Sequence, residues 1–137
     1  MSDRFLADRA ALHDLMLKYV AGLDERRFDL YGSCFADDVE VLGFAPEPLR
    51  GRDALLNFVK VALSSFGTTQ HLIGSPLVSI SRPSAHGRTS LQGLHYLNEP
   101  EGSVLILWGT YETDFEQIGD EWKIKKHELL VKGTKTI

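Results

Sequence analysis

In the run Thr89-Ser90-Leu91-Gln92-Gly93-Leu94-His95-Tyr96-Leu97, leucine, aromatic and β-branched residues are dense. The turn-forming Asn98-Glu99-Pro100-Glu101-Gly102 follows, and a second such run extends from Ser103 to Gln117. Two strand-like runs around a turn of this chemistry predict an antiparallel hairpin. Each run carries one internal glycine, Gly93 and Gly109. Glycine inside a strand weakens pairing but permits a sharp bend or a bulge. Bent at such points, the sheet would curl into a half-cone. The alternative is a flat sheet with two incidental glycines.

Further strands lie on both sides of this hairpin. Glu121 to Val131 follows the turn Gly119-Asp120, and His71 to Ile80 precedes the separator Arg82-Pro83-Ser84-Ala85-His86-Gly87. Upstream of Gly67 the period changes. Leu12, Leu15, Met16, Tyr19, Val20 and Leu23 follow the i, i+3, i+4, i+7 series of an amphipathic helix, with Gly22 weakening its last turn. Phe28, Tyr31, Cys34 and Phe35 fit a short second helix. Val39 to Leu42 reads as a brief strand, and Pro46 and Pro48 mark a loop. Leu55, Phe58, Val59, Ala62 and Leu63 fit a third helix, with Asp53 favourably near its start. Helices first and hairpins later predict an α+β fold. The expectation is a cone-shaped, curved antiparallel or mixed sheet wrapped around N-terminal helices, an α+β barrel enclosing an apolar pocket, in one domain spanning 1–137.

Composition narrows the function classes. The net charge is −4 and the calculated pI is about 5.7. This disfavours nucleic acid as a partner, because neutralising phosphates needs a basic stripe. The C-terminal lysines 123, 125, 126, 132 and 135 have acidic residues among and before them and read as a solvated strand face. Cys34 is the one cysteine, which excludes an intrachain disulfide and a CxxC metal pattern. Among apolar neighbours it reads as a packed core thiol. No signal-peptide run occupies residues 1–11, and the longest apolar stretch, Val104 to Trp108, is too short to span a bilayer. A cytoplasmic protein without membrane contact is expected. No GxGxxG, P-loop, GxSxG, HExxH or EF-hand pattern occurs, and no cofactor or metal is expected.

The candidate chemistry is proton transfer. Asp24 lies four residues after Val20 and continues one edge of the first helix's apolar stripe. It could point inward, or be solvated beside Glu25 and Arg26. His71 opens a strand in Thr68-Thr69-Gln70-His71-Leu72-Ile73-Gly74. Alternation places His95 on one face with Leu91 and Leu97, either as a hydrogen-bonded core histidine or as a pocket group. Histidine titrates near neutral pH and suits general-base work. A neighbouring carboxylate would hold one ring nitrogen protonated and leave the other free to take a proton. Tyr19 lies on the apolar stripe and needs a hydroxyl partner if buried; an ordinary packed tyrosine is the other reading. His13, His86 and His127 sit in exposed, turn or lysine-rich contexts. The pocket wall is expected from Leu12, Met16, Leu23, Phe35, Phe58 and Trp108.

These segments carry a resemblance. Arg9 to Asp24, Arg27-Phe28-Asp29, Phe35-Ala36-Asp37-Asp38-Val39 and Gly51-Arg52-Asp53-Ala54-Leu55 resemble the first half of SnoaL-like proteins, of the nuclear transport factor 2-like superfamily. Thr69-Gln70-His71-Leu72-Ile73-Gly74 and Leu94-His95-Tyr96 resemble the histidine segments of scytalone dehydratases. The close, with Gly119-Asp120-Glu121-Trp122-Lys123-Ile124, is similar to the last hairpin of those enzymes and of hexachlorocyclohexane dehydrochlorinases. The resemblance implies that Asp24 and His71 form an acid–base dyad and that His95 is a second active-site histidine. Two departures limit it. Val41-Leu42-Gly43-Phe44 lacks the dehydratases' tyrosine, and Phe115-Glu116-Gln117-Ile118 lacks the dehydrochlorinases' arginine.

The expected function is a cofactor-independent lyase, dehydratase-like, acting on a small, mostly apolar molecule. Asp24, His71 and His95 would be catalytic. Tyr19, Met16, Phe35, Phe58 and Trp108 would bind substrate. A ketosteroid-isomerase-like isomerase or polyketide cyclase, and a non-catalytic small-ligand module, are the alternatives. The resemblance further implies a homo-oligomer, dimer or trimer.

Overall fold

Ser2 caps the first helix: its hydroxyl accepts from the Phe5 amide at 3.1 Å, satisfying one of the free N–H groups of the first turn. The computed structural model describes residues 2–137, and helix α1 runs Asp3–Asp24, two turns earlier than the apolar stripe predicts. The stripe itself is buried along Leu12, Leu15, Met16, Tyr19, Val20 and Leu23. Helix α2 covers Phe28–Ser33 and α3 covers Arg52–Leu63. Phe35 is not helical as expected: the chain turns at Cys34, and Phe35 opens strand β1, Phe35–Leu42. A two-residue β2, Leu49–Arg50, follows the proline loop.

The remaining strands are β3 Phe66–Ile73, β4 Leu77–Ser81, β5 Ser84–Leu97, β6 Val104–Ile118 and β7 Glu121–Thr136. His71 to Ile80 is therefore two strands. Gly74-Ser75-Pro76 separates them, and proline cannot donate to a ladder. Both halves pair with the long β5, whose Ser84–Arg88 takes β4 and whose Leu91–Leu97 takes β3. Only Arg82 and Pro83 form the turn before β5, since pairing resumes at Ser84.

The seven strands form one mixed sheet in the order β2-β1-β7-β6-β5-β3, with β4 paired to β5. β1 runs parallel to β7 and the other pairs are antiparallel. The sheet curls around the helices without closing on itself, and one hydrophobic core fills the space between. Cys34 is a buried thiol in that core, within reach of the Leu15 and Leu30 carbonyls, and burial pushes its pKa up to about 11.

The register shifts between Phe35 and Glu40 of β1 and between Phe66 and Thr69 of β3, and two further irregularities lie in β7. Register slips between Asp114 and Phe115, where Lys125 is the extra residue, and between Trp108 and Gly109, where Lys132 is. A bulge adds local twist and reverses which residues face inward. Gly109 lies at one bulge, where a Cβ would come within 2.8 Å of the Leu130 carbonyl oxygen. Gly93 lies at none: its register with β3 is continuous from Thr69 to Ile73, and that with β6 runs through unbroken.

Candidate functional site

Asp24 is the last residue of α1, where the helix dipole disfavours a carboxylate. Three donors hold it there. The His71 amide gives a hydrogen bond to Oδ2 at 2.7 Å, His71 Nδ1 lies 2.7 Å from Oδ1, and the Thr69 hydroxyl donates to Oδ1 at 3.0 Å. Burial alone would raise the carboxyl pKa, but the His71 ring and amide and the Thr69 hydroxyl outweigh it and hold Asp24 below its ordinary value. An ionised Asp24 only accepts, so the Nδ1 contact is a donation from the ring. The other ring nitrogen, Nε2, has no hydrogen-bond partner among the described residues.

The backbone brings these groups together through the end of α1. Glu25 caps the helix, and Arg26 adopts a left-handed conformation at φ 57°. The Arg26 amide then bonds the Leu23 carbonyl and the Arg27 amide bonds that of Gly22. This is the Schellman pattern, whose left-handed position usually belongs to glycine. Here the arginine side chain compensates. Its guanidinium donates to Thr69 Oγ1 at 2.8 Å, to the Gly67 carbonyl at 2.7 Å and to the Leu23 carbonyl at 3.0 Å. A continuous set of hydrogen bonds therefore runs Arg26, Thr69, Asp24, His71 and ties α1 to β3.

His95 stands next to His71 on β5, with ring centroids 5.3 Å apart and planes at 88°. Its Nδ1 contacts the Leu105 carbonyl at 3.2 Å, so Nδ1 carries the proton. Burial lowers the pKa of His95, with the nearby His71 adding to the effect against the Leu105 bond. Gly93 makes room for both rings. A Cβ there would lie 3.0 Å from His95 Cε1, 3.2 Å from His71 Cδ2 and 3.3 Å from His71 Nε2. The expected role of Gly93 as a bend is thus replaced by one as a gap beneath two imidazoles.

Both histidines line a cavity of about 320 Å³ between the helices and the concave sheet face, within the size range of small-molecule pockets. Its helical wall is Tyr19, Leu23, Phe58, Val59 and Leu63. Leu105, Leu107, Tyr111, Leu129 and Val131 form the sheet wall. Asp24 and His71 also border an outer hollow with Glu25, Thr68, Gln70 and Tyr96, through which the Asp24 side chain keeps 17% of its exposure.

Of the expected wall residues, Tyr19, Leu23 and Phe58 line the cavity, and Leu12, Met16, Phe35 and Trp108 do not. Leu12, Met16 and Phe35 are fully buried in the core, with Phe35 packed against Tyr31 and Tyr19. Trp108 is 39% exposed. Inward positions on β6 are the odd-numbered ones, so Leu105 and Leu107 occupy the wall assigned to Trp108.

The expectation for His127 also fails. It is completely buried, with Nε2 3.0 Å from the Tyr19 hydroxyl and Nδ1 2.9 Å from Thr113 Oγ1. Burial drives its pKa down to about 3. From Trp122 and Ile124 strict alternation would send Lys126 inward. The bulge at Lys125 turns Lys126 out and His127 in. His86 is a surface residue between Glu112 and Asp114, and His13 lines a shallow hollow beside Arg9 and Pro76. Among the described residues no group of three His, Cys, Asp or Glu side chains is placed to hold a metal ion, and no helix is long and apolar enough to cross a membrane.

Solved structures share this architecture. A provisionally named scytalone dehydratase from Novosphingobium aromaticivorans aligns with a TM-score of 0.91 and 24% identity, over 98% of this chain and 91% of that one. A hexachlorocyclohexane dehydrochlorinase from Novosphingobium barchaimii aligns at 0.89 with 22% identity, over 99% and 94%. At such identities the likeness establishes the fold. In sequence, an uncharacterised protein of Mycobacterium tuberculosis is 24% identical over 120 residues, 87% of this chain and 82% of that one. Residues 4–128 match the family described as the SnoaL-like domain, and the chain belongs to that family.

Proposed function

We propose that the protein is a cofactor-independent lyase that removes a proton and a leaving group from a small, mostly apolar molecule, with dehydration as the leading reaction. The observation that carries this reading is the 2.7 Å contact between His71 Nδ1 and Asp24, which commits one face of the imidazole to the carboxylate and leaves Nε2 as a base. His71 Nε2 takes a proton from carbon. Asp24 stabilises the imidazolium that forms, as in the Asp–His half of a hydrolase triad. The imidazolium then returns that proton to the departing hydroxyl. One C–H and one C–O bond break, a double bond and water form, and the base is regenerated.

His95 in this scheme is an acceptor. Its Nδ1 proton is engaged by Leu105 and burial disfavours a second proton, so Nε2 orients a substrate hydroxyl by accepting from it. Tyr19 and Phe58 complete the substrate wall. General acid–base help of this kind contributes typically ~10²–10⁴-fold. Support also comes from the two solved structures of like fold, one named a dehydratase and the other a dehydrochlorinase.

The test is a panel of β-hydroxy ketones and chlorinated cyclohexanes, followed by mass spectrometry with wild type, His71→Ala and Asp24→Asn. Loss of water or hydrogen chloride that depends on both residues is the expected result. A product of unchanged mass would replace the lyase by an isomerase using the same base. Equal turnover in either variant would remove the dyad.

A further inference from the structure

His127 is a buried imidazole that the proposed chemistry does not use, and its two hydrogen bonds have a direction that can be worked out. The ring has no ionised partner among its contacts, and burial keeps it neutral, so one nitrogen donates and the other accepts. In the first arrangement Nδ1–H donates to Thr113 and Nε2 accepts from Tyr19. The Thr113 hydroxyl proton then has no acceptor, because His127 is its one side-chain partner among the described residues and Thr113 is fully buried. A buried donor left unmade costs about 1–3 kcal/mol. In the second arrangement Thr113 donates to Nδ1, and Nε2–H donates to the Tyr19 oxygen. Thr113 and His127 are then both satisfied, and the proton left to place is that of the Tyr19 hydroxyl, which has the Tyr111 and Tyr31 hydroxyls as neighbours.

The surroundings of Tyr19 favour the second arrangement. Its ring packs against Tyr31 at 5.1 Å and Tyr111 at 5.4 Å between centroids. Among the described residues Tyr31 Oη is buried without another partner, so its oxygen and that of Tyr111 are open to the Tyr19 proton, whereas the Thr113 proton has no such alternative. Tyr19 and Tyr111 line the cavity. Burial raises the pKa of Tyr19 well above its ordinary value, so the phenol keeps its proton and serves as a hydrogen-bond donor.

We propose that His127, fixed by Thr113 as the Nε2–H tautomer, is a positioning residue that turns the buried Tyr19 hydroxyl proton toward Tyr111 at the cavity wall, leaving the Tyr111 hydroxyl proton as a donor for an oxygen of the ligand. Thr113 and His127 face each other directly across β6 and β7, so the sheet holds the alignment. A preorganised donor strengthens where negative charge develops on a ligand oxygen. Only this catalytic consequence rests on the elimination reading. The tautomer and the donor direction do not.

Nitrogen-15 NMR of the full chain labelled at histidine tests the assignment without a substrate. At neutral pH the His127 ring should show a protonated Nε2 and an unprotonated Nδ1. Thr113→Val should leave Nε2 protonated and move Nδ1 to the position of a nitrogen that accepts no hydrogen bond, and Thr113→Ser should restore it. A protonated Nδ1, or an Nδ1 resonance indifferent to Thr113→Val, overturns the proposal. For turnover, His127→Gln keeps an N–H donor and should retain kcat within about threefold, whereas His127→Phe should lower kcat about tenfold or more with KM little changed. A folded His127→Phe with wild-type kcat overturns the positioning role. Absence of any elimination in wild type, with the expected spectrum, discards the lyase and leaves the tautomer standing.

Discussion

Helix α1 carries two carboxylates that face inward at opposite ends, and their partners differ in kind. Asp8 accepts two hydrogen bonds from Arg82, at 2.7 and 2.6 Å, and a longer one from the Trp122 indole at 3.4 Å. Asp24 accepts from an imidazole, an amide and a hydroxyl. Both carboxyls are held below their ordinary pKa, Asp8 chiefly by the Arg82 hydrogen bonds and Asp24 by its bonds with His71 working against burial. Guanidinium never releases its proton at accessible pH, so the first pair can only hold the helix to the β4–β5 turn. Imidazole exchanges a proton near neutrality, and the second pair borders a cavity. One helix therefore has a fastening at its start and, on the proposed reading, the acid–base pair at its end.

The largest expected effect separates the two pairs by activity. Asp24→Asn or His71→Ala should lower kcat/KM by about 100-fold or more, on whichever substrate the panel identifies. Asp8→Asn should leave it within about threefold. Loss of activity on breaking the Asp8 pair in a protein that remains folded would contradict the division.

Next in size is stability. Asp8→Asn should cost on the order of 1–2 kcal/mol, read as a lower urea midpoint. The figure is that of a charge-assisted bond discounted because the Arg82 side chain is 31% exposed and can re-solvate. The pH dependence has a definite sign. A carboxyl whose native pKa is depressed stabilises fully above its unfolded value, near 3.9, and the contribution disappears as pH falls through the native value. Wild type should therefore lose stability faster than Asp8→Asn below about pH 4, and the two curves should run parallel between pH 5 and 7. Parallel curves at all pH would remove the Asp8–Arg82 pair as a source of stability.

How much of this was legible in the sequence follows from the range of each interaction. The fold was readable because period 3.6 before residue 64 and strand-like runs after it are local signals. Asp24 was ambiguous from spacing alone, since its inward position depends on what β3 offers, and the family resemblance brought it together with His71. Trp108 was misread because β6 turns its odd-numbered residues inward, and His127 because a bulge intervenes. In a strand, inward and outward are decided by phase, and the bulge at Lys125 shifts the phase without any mark in composition. Asp8 and Arg82, 74 residues apart, left no local trace. Arg26 was hidden because a left-handed arginine looks like any charged residue after a helix.

A moderate effect tests the gap beneath the imidazoles. Gly93→Ala adds a Cβ 3.0 Å from one ring and 3.2 Å from the other, so at least one ring must shift by a few tenths of an ångström. About a tenfold loss of kcat is expected, since misplacement on an ångström scale costs about 10²-fold. Stability should change by less than about 1 kcal/mol, because alanine suits a strand at least as well as glycine. An active site indifferent to this methyl group would mean that His71 and His95 need not be held together.

The smallest expected effect is at Arg26, and there two contributions oppose. Arg26→Gly relieves a left-handed backbone that costs a non-glycine residue roughly 1 kcal/mol. It also removes the bonds to Thr69, Gly67 and Leu23, worth about 1 kcal/mol net for a half-buried guanidinium. The melting temperature should therefore hardly move. Activity has no such compensation, because glycine restores the turn but leaves Thr69 without its donor and Asp24 less firmly held. A three- to tenfold fall in kcat is expected at unchanged stability, roughly 0.7–1.4 kcal/mol of barrier. Arg26→Lys separates the halves: it keeps the strained backbone and a charge but cannot reach three acceptors at once, so it should lose both stability and activity. If Arg26→Gly instead gained stability with full activity, the arginine would be a tolerated residue at a glycine position and the Asp24 end of α1 would need no clamp.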